Sequence, residues 1–261
     1  MKSNKNDRND AEAICEAVGR PSMRFVPPKT PEQLTIQAVH RIRQRLVSDR
    51  TRLVNQIRGL LAEHGVVIAR DINRLRHALG RIADGAETGL NDMIRDLACD
   101  IREELGELDQ RIATYNRRIR VLFRSNEACQ RIGQIEGIGP VKATALVAAV
   151  GDRSYFRSGR QFAAWLGLVP RQRSSGGKSR LFGISKRGNR YLRTLMIHGA
   201  RAVLGKAHGK DDPRSQWIGR MRERRHPNVV AVALANKNAR IVWAVLSRGD
   251  TYNQAEGAPT S

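Results

Sequence analysis

The stretch RIGQIEGIGPVKATALVAAVGD, residues 131–152, decides how the second half of the chain folds. Apolar residues recur at helical spacing on both sides of Gly137, Ile138 and Gly139, and Pro140 stands where a helix best accepts proline. This pattern predicts a helix-hairpin-helix, in which a tight glycine turn joins two helices. Outward-pointing N–H groups at that turn would bind a phosphate without reading bases. The alternative is an ordinary αα turn packed in a core.

Upstream of that stretch, two apolar series predict a helical arm over residues 34–126. The shorter runs from Leu34 to Leu61 with heptad-like spacing, broken once around Asp49 and Arg50. The longer describes one stripe on a helix of about nine turns. Two such helices would pack antiparallel as a coiled-coil arm, either within one chain or against another subunit. The members of the longer series are Leu90, Ile94, Leu97, Ile101, Leu105, Leu108, Ile112, Tyr115, Ile119 and Leu122.

Positive charge is concentrated in the C-terminal part of the chain. Lys and Arg number 47 against 25 Asp and Glu, a net charge of +22. Residues 151–261 carry 22 basic and 6 acidic residues, so +16 of the excess lies there. Arginine-rich surfaces of this kind attract polyanions, because the guanidinium group binds two phosphate oxygens at once. Nucleic acid is therefore the expected partner, with an anionic membrane surface as the alternative.

Cysteine spacing and hydropathy indicate the compartment in which the protein works. Cys15, Cys99 and Cys129 are isolated and lack metal-ligand spacing, which indicates a reducing compartment and argues against zinc or disulfides. No apolar run approaches the roughly 18 residues of a membrane span, and the first residues have no signal-peptide core. We expect a soluble, cytoplasmic protein that does not contact a membrane.

Residues 171–193 are the most basic segment. Within them, RQRSSGGKSR (171–180) surrounds Ser174 and Ser175 with positive charge, although by composition alone it predicts a flexible connection. The helix expected after Gly188 would turn its apolar residues inward and leave its arginines free for a nucleic-acid backbone. The predicted phosphate ligands, besides Lys142 of the hairpin motif, are Arg171, Arg173, Lys178, Arg180, Lys186, Arg187, Arg190 and Arg193.

The remaining segments complete a compact, mainly α domain over residues 127–250. Phe162, Trp165 and Leu166 recur at helical spacing, and we expect them in the core rather than stacked on bases. The sequence NVVAVALANKNARIVWAVL, residues 228–246, predicts a final buried helix. Residues 251–261 are expected to be a disordered tail.

Several long stretches resemble one known family. IEGIGPVKATALVAAVGD (135–152), the segment from Phe162 to Val203, and ANKNARIVWAVL (235–246) are similar to the C-terminal domain of bacterial transposases of insertion-sequence family 110, which themselves resemble the Piv DNA invertase. NDRNDAEAI (6–14) resembles the last carboxylate motif of that family's RuvC-like domain. The resemblance covers nearly the whole chain.

The resemblance implies an acidic metal site. Family members carry Asp, Glu, Asp and Asp on a RuvC-like α/β domain, and the last two match Asp7 and Asp10. Their spacing puts both carboxylates on one helix face, able to share magnesium, although acidic residues in a first turn also favour the helix dipole. The family's first Asp and Glu lie well before this pair. We therefore expect residues 1–33 to be the remnant of that domain plus a linker, with the chain shortened at its N-terminus.

The resemblance also implies covalent chemistry. The family's nucleophilic serine matches Ser174 or Ser175, with Ser175 favoured because it adjoins Gly176. The implied function is a transposase or recombinase in which serine attacks a DNA phosphodiester and magnesium assists strand exchange. Its partners would be the DNA of the element ends and target, a structured guide RNA, and further copies in a dimer or tetramer. The alternative is a non-catalytic protein that only binds nucleic acid.

Overall fold

The structure, a computed structural model, describes residues 6–21, 23, 28–87, 89–151, 155–175, 178–249 and 252. This part of the chain is mainly helical, as the periodicity predicts, with one two-stranded sheet. Gly176, Gly177 and all but Tyr252 of the predicted disordered tail lie outside the described residues. The elements are α1 Asp7–Val18, α2 Pro31–Glu63, α3 Ile72–Ala83, α4 Asp92–Ser125, α5 Glu127–Gly133, α6 Pro140–Val150, α7 Gly159–Trp165, β1 Pro170–Ser175, β2 Lys178–Ile184, α8 Arg190–Lys206, α9 Pro213–Arg222 and α10 Pro227–Arg248.

The two long helices α2 and α4 pack antiparallel within the chain. Arg43 donates to Asn116 at 2.6 Å, and Arg50 pairs with Asp109 at 2.7 Å, so residue numbers rise on α2 as they fall on α4. The helix α2 continues without a break through Asp49 and Arg50, where its heptad spacing is interrupted. At this position Arg50 pairs with Asp109 of α4. The apolar stripe of α4 supplies the other side of this contact. Its buried members are Leu105, Leu108, Ile112 and Ile119.

The start of α2 has a clear local cause. Thr30 accepts from the N–H of Gln33, and the Gln33 side chain accepts from the N–H of Thr30, which is a capping box. Pro31 then occupies the first helical position, where its fixed φ favours the helix and its missing N–H costs nothing. The helix therefore begins earlier than the Leu34 boundary indicated by the apolar spacing.

The C-terminal part packs around α10. Phe162 and Leu166 are buried in this core, and Trp165 packs partly buried against it, as predicted. By length and composition α10 could cross a membrane, but 61% of its most apolar window is buried inside the fold. Packing against α7 and α8 thus accounts for its hydropathy.

Residues 170–175 and 178–184 form the two strands of an antiparallel β-hairpin, which corrects the expectation of a flexible connection. β1 and β2 pair with Arg173 opposite Arg180, Ser174 opposite Ser179 and Ser175 opposite Lys178. A register irregularity lies between Pro170 and Gln172. The backbone of both serines therefore lies at a fixed place in a paired strand, at the end of β1.

Two glycines hold the base of this hairpin, and we call Gly167 and Gly188 the glycine clasp. Both have positive φ, +73° and +87°. A Cβ on Gly167 would lie 1.9 Å from the Arg187 carbonyl oxygen, and one on Gly188 would lie 1.9 Å from that of Trp165. Hydrogen bonds from Lys186 N–H to the Gly167 oxygen and from Ser185 N–H to the Val169 oxygen close the contact. Only glycine fits either position.

A buried hydrogen-bond chain joins the arm to the C-terminal helices. His40 of α2 is 4% exposed; its Nδ1 lies 3.0 Å from the Tyr191 hydroxyl, and its Nε2 lies 2.9 Å from Thr144 Oγ1. Thr144 donates to the Pro140 oxygen, and the side chain of Arg43 hydrogen-bonds to Tyr191.

The order of donors in this chain follows from its two ends. A guanidinium group only donates and a carbonyl oxygen only accepts. The Thr144 hydroxyl donates its proton to the Pro140 carbonyl oxygen. It must therefore accept a hydrogen bond from the Nε2–H of His40. Tyr191 accepts from Arg43 and donates to the bare Nδ1 of His40. The histidine is thus a neutral imidazole protonated at Nε2.

The buried His40 predicts acid sensitivity. Burial, and secondarily the charge of Arg43, lowers the pKa of His40 from 6.5 to about 4. Between pH 6.5 and about pH 4, this histidine is protonated in the unfolded chain but neutral in the folded chain. Stability should therefore be fully present above pH 6.5 and fall as the pH drops towards 4, by about 3 kcal/mol in all.

The measurement is urea unfolding at several pH values between 7 and 4. His40→Gln retains an amide donor and acceptor but cannot titrate in this range, so its pH slope should be shallower in this window. An identical slope in the variant would show that other groups cause the acid sensitivity.

Candidate nucleic-acid interface

The turn between α5 and α6 packs closely on α8. Gly137 has φ +86°, and a Cβ on it would lie 2.8 Å from the Gly199 carbonyl oxygen. A Cβ on Gly199 would in turn lie 2.2 Å from the Gly137 oxygen. Gly139 differs, because its φ is −88° and a Cβ there would meet nothing within 4 Å. Of the two predicted turn glycines, only Gly137 is required by backbone geometry.

A cluster of polar residues from α9 and α10 holds this turn in place. Arg214 of α9 is 6% exposed, hydrogen-bonds to Asn238 of α10, and reaches Glu136 Oε2 at 3.5 Å. Asn238 donates to the Glu136 carbonyl oxygen at 3.1 Å. The cluster satisfies a buried guanidinium group and holds residue 136, so the turn is rigid before any ligand arrives.

Three lysines line a groove of about 420 Å³ beside this turn. One of them is Lys142, predicted as a nucleic-acid ligand, and partial burial lowers its pKa. Lys206 and Lys210 join it from the end of α8 and the loop beyond. Sequence reasoning missed both, because they are far from the glycine turn along the chain. Gly139, the N-cap of α6, has no side chain to cap the first turn, so that turn remains compatible with a phosphate.

The β-hairpin carries four of the other eight predicted cations, Arg171, Arg173, Lys178 and Arg180. Arg173 and Arg180 are exposed and face each other across the strands, and the Arg171 Cζ atom lies 5.9 Å from the centroid of the Phe182 ring. Placing like charges opposite each other costs stability unless an anion lies between them. Three further predicted ligands are exposed beyond β2, namely Lys186, Arg187 and Arg190.

Arg193 corrects the prediction that this side chain is free for a nucleic-acid backbone. It is 9% exposed, and its Nη1 donates to the carbonyl oxygens of Leu166 and Arg187 at 3.3 and 3.2 Å. These two acceptors flank the glycine clasp. Arg193 therefore holds the base of the hairpin in place, and its charge is used internally.

The predicted metal ligands lie on another element. Asp7 and Asp10 are exposed in the first turn of α1, whose N-cap Asn6 accepts from the Asn9 N–H. They fit as two oxygen ligands of a divalent cation, which commonly takes about six. Within the described ranges, no group of three or more His, Cys, Asp or Glu residues could hold a metal ion. The other ligands of such an ion would have to come from elsewhere.

Comparison with known proteins agrees with the resemblance of the motifs. Residues 129–216 match the model of the transposase IS116/IS110/IS902 family, and residues 1–65 match a DEDD-type transposase model of IS110 elements. The second match extends beyond residue 33 and covers the whole of α2. Together the two matches cover both the segment with Asp7 and Asp10 and the segment with the hairpin.

Relatives match over nearly the full chain. The "Probable family 20 transposase" of Pseudomonas aeruginosa is 51% identical over 97% of this chain and 75% of its own length. The transposase for insertion sequence element IS1111A of Coxiella burnetii is 49% identical over 97% of this chain and 69% of its own. The transposase for element IS1328 of Yersinia enterocolitica is 40% identical over 97% and 75%. The chain therefore belongs to the IS110/IS116/IS902 family of transposases, a class of enzymes.

Proposed function

We propose that this transposase acts on DNA by attack of the Ser175 hydroxyl on a phosphodiester. The observation that carries the proposal is the strand register of the β-hairpin. It places Ser175 opposite Lys178, at the end of the strand on which Arg173 stands opposite Arg180. A nucleophile position is thus held by paired backbone among cations suited to a phosphate.

The same register distinguishes the two serines. Successive residues of a strand belong to opposite faces, so position 175 shares a face with Arg173 and Arg180. Position 174 belongs to the other face, with Gln172 and Leu181. The basic face is where a phosphate would be held, and this favours Ser175 as the nucleophile.

The reaction is a transesterification. The serine oxygen forms a bond to phosphorus, the bond from phosphorus to one DNA oxygen breaks, and the serine proton ends on the departing DNA hydroxyl. A serine hydroxyl is a weak nucleophile until its proton is removed, and the pentacovalent phosphate gathers negative charge. Arg173 and Arg180 would stabilise that charge because their fork-shaped groups match phosphate oxygens. The lysine groove beside α6 would hold the DNA backbone further along.

Other participants complete the proposal. Asp7 and Asp10 would supply two ligands to a magnesium ion, which when bound activates a hydroxyl and stabilises phosphate charge. The protein would work in the cytoplasm as a dimer or tetramer, on element-end and target DNA, with a structured RNA guiding target choice. The second candidate function is nucleic-acid binding without reaction, favoured because the first turn of α1 supplies only Asp7 and Asp10 of the roughly six ligands that such an ion takes.

A covalent adduct separates the two candidates. The chain would be incubated with labelled element-end DNA, any required element RNA and Mg²⁺, alone and joined to the part of the Pseudomonas aeruginosa relative outside the matched region. We expect an adduct that survives denaturing electrophoresis from the joined protein, lost with EDTA, and almost none from this chain alone. Strong DNA binding without an adduct in the joined protein would favour the non-catalytic candidate.

A further inference from the structure

A second basic cleft lies apart from the hairpin and from the lysine groove. It has a volume of about 620 Å³ and is formed by the start of α7, by α9 and by α10. Its lining shares no residue with the lysine groove. We call it the α10 cleft. The basic residues that line it are Arg157, Arg160, Lys237, Arg240 and Arg248.

The charge of the α10 cleft is uncompensated in its lining. Among the residues that the structure describes, none that lines the cleft is acidic, and its four arginines are exposed. Burial lowers the pKa of Lys237, and the charges of Arg214 and Arg240 lower it further. The lowered pKa shows that these cations repel one another. A bound phosphate would relieve that repulsion, so the surface favours an anionic ligand.

Backbone packing holds two of the cations side by side. A Cβ on Gly159 would lie 3.0 Å from the Cα of Arg240, so α7 and α10 touch there through their backbones. Arg160 follows on α7 and Arg240 projects from α10. The distance between the Cα atoms of these two arginines is therefore set by helix packing.

Two indole rings share the cleft with this charge. Trp217 is half-buried and carries the Lys237 Nζ atom 5.1 Å from its ring centroid. Trp243 is half-buried and its Nε1–H donates to the Phe156 oxygen at 3.0 Å, which fixes the plane of the ring. Aromatic faces beside cations are the combination that binds unpaired bases and their phosphates.

We propose that the α10 cleft binds a single-stranded segment of nucleic acid, with phosphates on Arg157, Arg160 and Arg240 and a base against Trp243. A duplex keeps its bases stacked inside and offers only their edges in the grooves, whereas an unpaired strand presents base faces to an indole. An acidic peptide would satisfy the arginines but would not use the ring. This site does not depend on the serine chemistry of the hairpin, and each can fail without the other.

The test compares two triple variants of the full chain by fluorescence anisotropy across a salt series. Arg157, Arg160 and Arg240 are changed to Gln in one; exposed Arg102, Arg117 and Arg120 of the arm are changed to Gln in the matched control. The probes are a 20-mer of dT, a 20-mer of rU and a 20-base-pair duplex. The cleft variant should bind at least one single strand about tenfold more weakly, with a salt slope reduced by about two, because each phosphate that is no longer neutralised lowers the slope by about 0.7. Whichever strand shows the larger drop in affinity identifies DNA or RNA as the ligand.

Several results would overturn the proposal. They are unchanged single-strand affinity in the cleft variant, an equal drop in the arm control, a drop confined to the duplex, and displacement of the strand by poly-glutamate at equal charge. A second measurement covers a cleft variant that does not fold. The 20-mers should quench the indole emission of the unaltered chain, and Trp243→Phe should remove most of that quenching while Trp165→Phe leaves it. Quenching that persists in Trp243→Phe would also contradict the site.

Discussion

Ser175→Ala is expected to abolish the covalent protein–DNA adduct, while Ser174→Ala leaves it largely intact. The strand register places position 175 on the face that carries Arg173 and Arg180, and position 174 on the opposite one. Removing the attacking oxygen leaves no route to the adduct, so the decrease should exceed about a thousandfold, as for other nucleophile deletions. The readout is a denaturing gel of the joined protein with element-end DNA.

DNA affinity provides the control for this experiment. Neither serine variant changes a charge, so both should bind DNA as the unaltered chain does. Changing Arg171, Arg173 and Arg180 to Gln should instead weaken binding and flatten its salt dependence, by about 0.9 in slope for each phosphate that is no longer neutralised. An adduct that survives the removal of both serines would exclude them from the mechanism and leave the hairpin as a phosphate-binding element.

Gly188→Ala is expected to lower the free energy of unfolding by about 3 to 5 kcal/mol. Its φ of +87° is unfavourable for alanine, and the new Cβ would meet the Trp165 carbonyl oxygen at 1.9 Å. Relief requires the two backbone segments of the glycine clasp to separate. That movement would break the hydrogen bond from Lys186 N–H to the Gly167 oxygen and disturb the hydrogen bonds of Arg193.

Gly183→Ala is the matched control within the same hairpin. A Cβ at Gly183 would meet nothing within 4 Å, so this change should alter stability by less than about 1 kcal/mol. Urea unfolding followed by circular dichroism measures both variants. Equal stability of the two would mean that the clasp does not hold the hairpin base.

The helices were predictable where apolar residues recur at helical spacing over many turns. The stripe on α4 and the apolar run of α10 have this property, and both became helices close to the predicted ranges. The hairpin was not predictable in this way. A half-buried strand is recognised by apolar residues that alternate with polar ones. The sequence of β2 lacks this alternation because the strand faces no core: Leu181 is 67% exposed and Phe182 is 45% exposed.

The site was predictable in composition but not in its long-range hydrogen bonds. The predicted cations whose side chains the structure describes between 171 and 190 are exposed as expected, namely Arg171, Arg173, Arg180, Lys186, Arg187 and Arg190. Arg193 was misassigned because its acceptors are the carbonyl oxygens of Leu166 and Arg187. Packing at the glycine clasp brings these two oxygens together, and the local sequence does not show it. The cations of the α10 cleft are scattered from 157 to 248, and no local pattern joins them. Long-range packing decides each of these cases.

The hydrogen-bond chain through His40 bears on how such proteins can be recombined. A cut at residue 126, where the apolar pattern changes, looks like a clean border between an arm and a domain. Yet His40 comes from one side of that cut, and Thr144 and Tyr191 come from the other. An arm transplanted from a relative must bring its own histidine to a matching threonine and tyrosine, or leave a buried imidazole without partners. Exchange between relatives should therefore move the two pieces together, although the sequence shows a border between them.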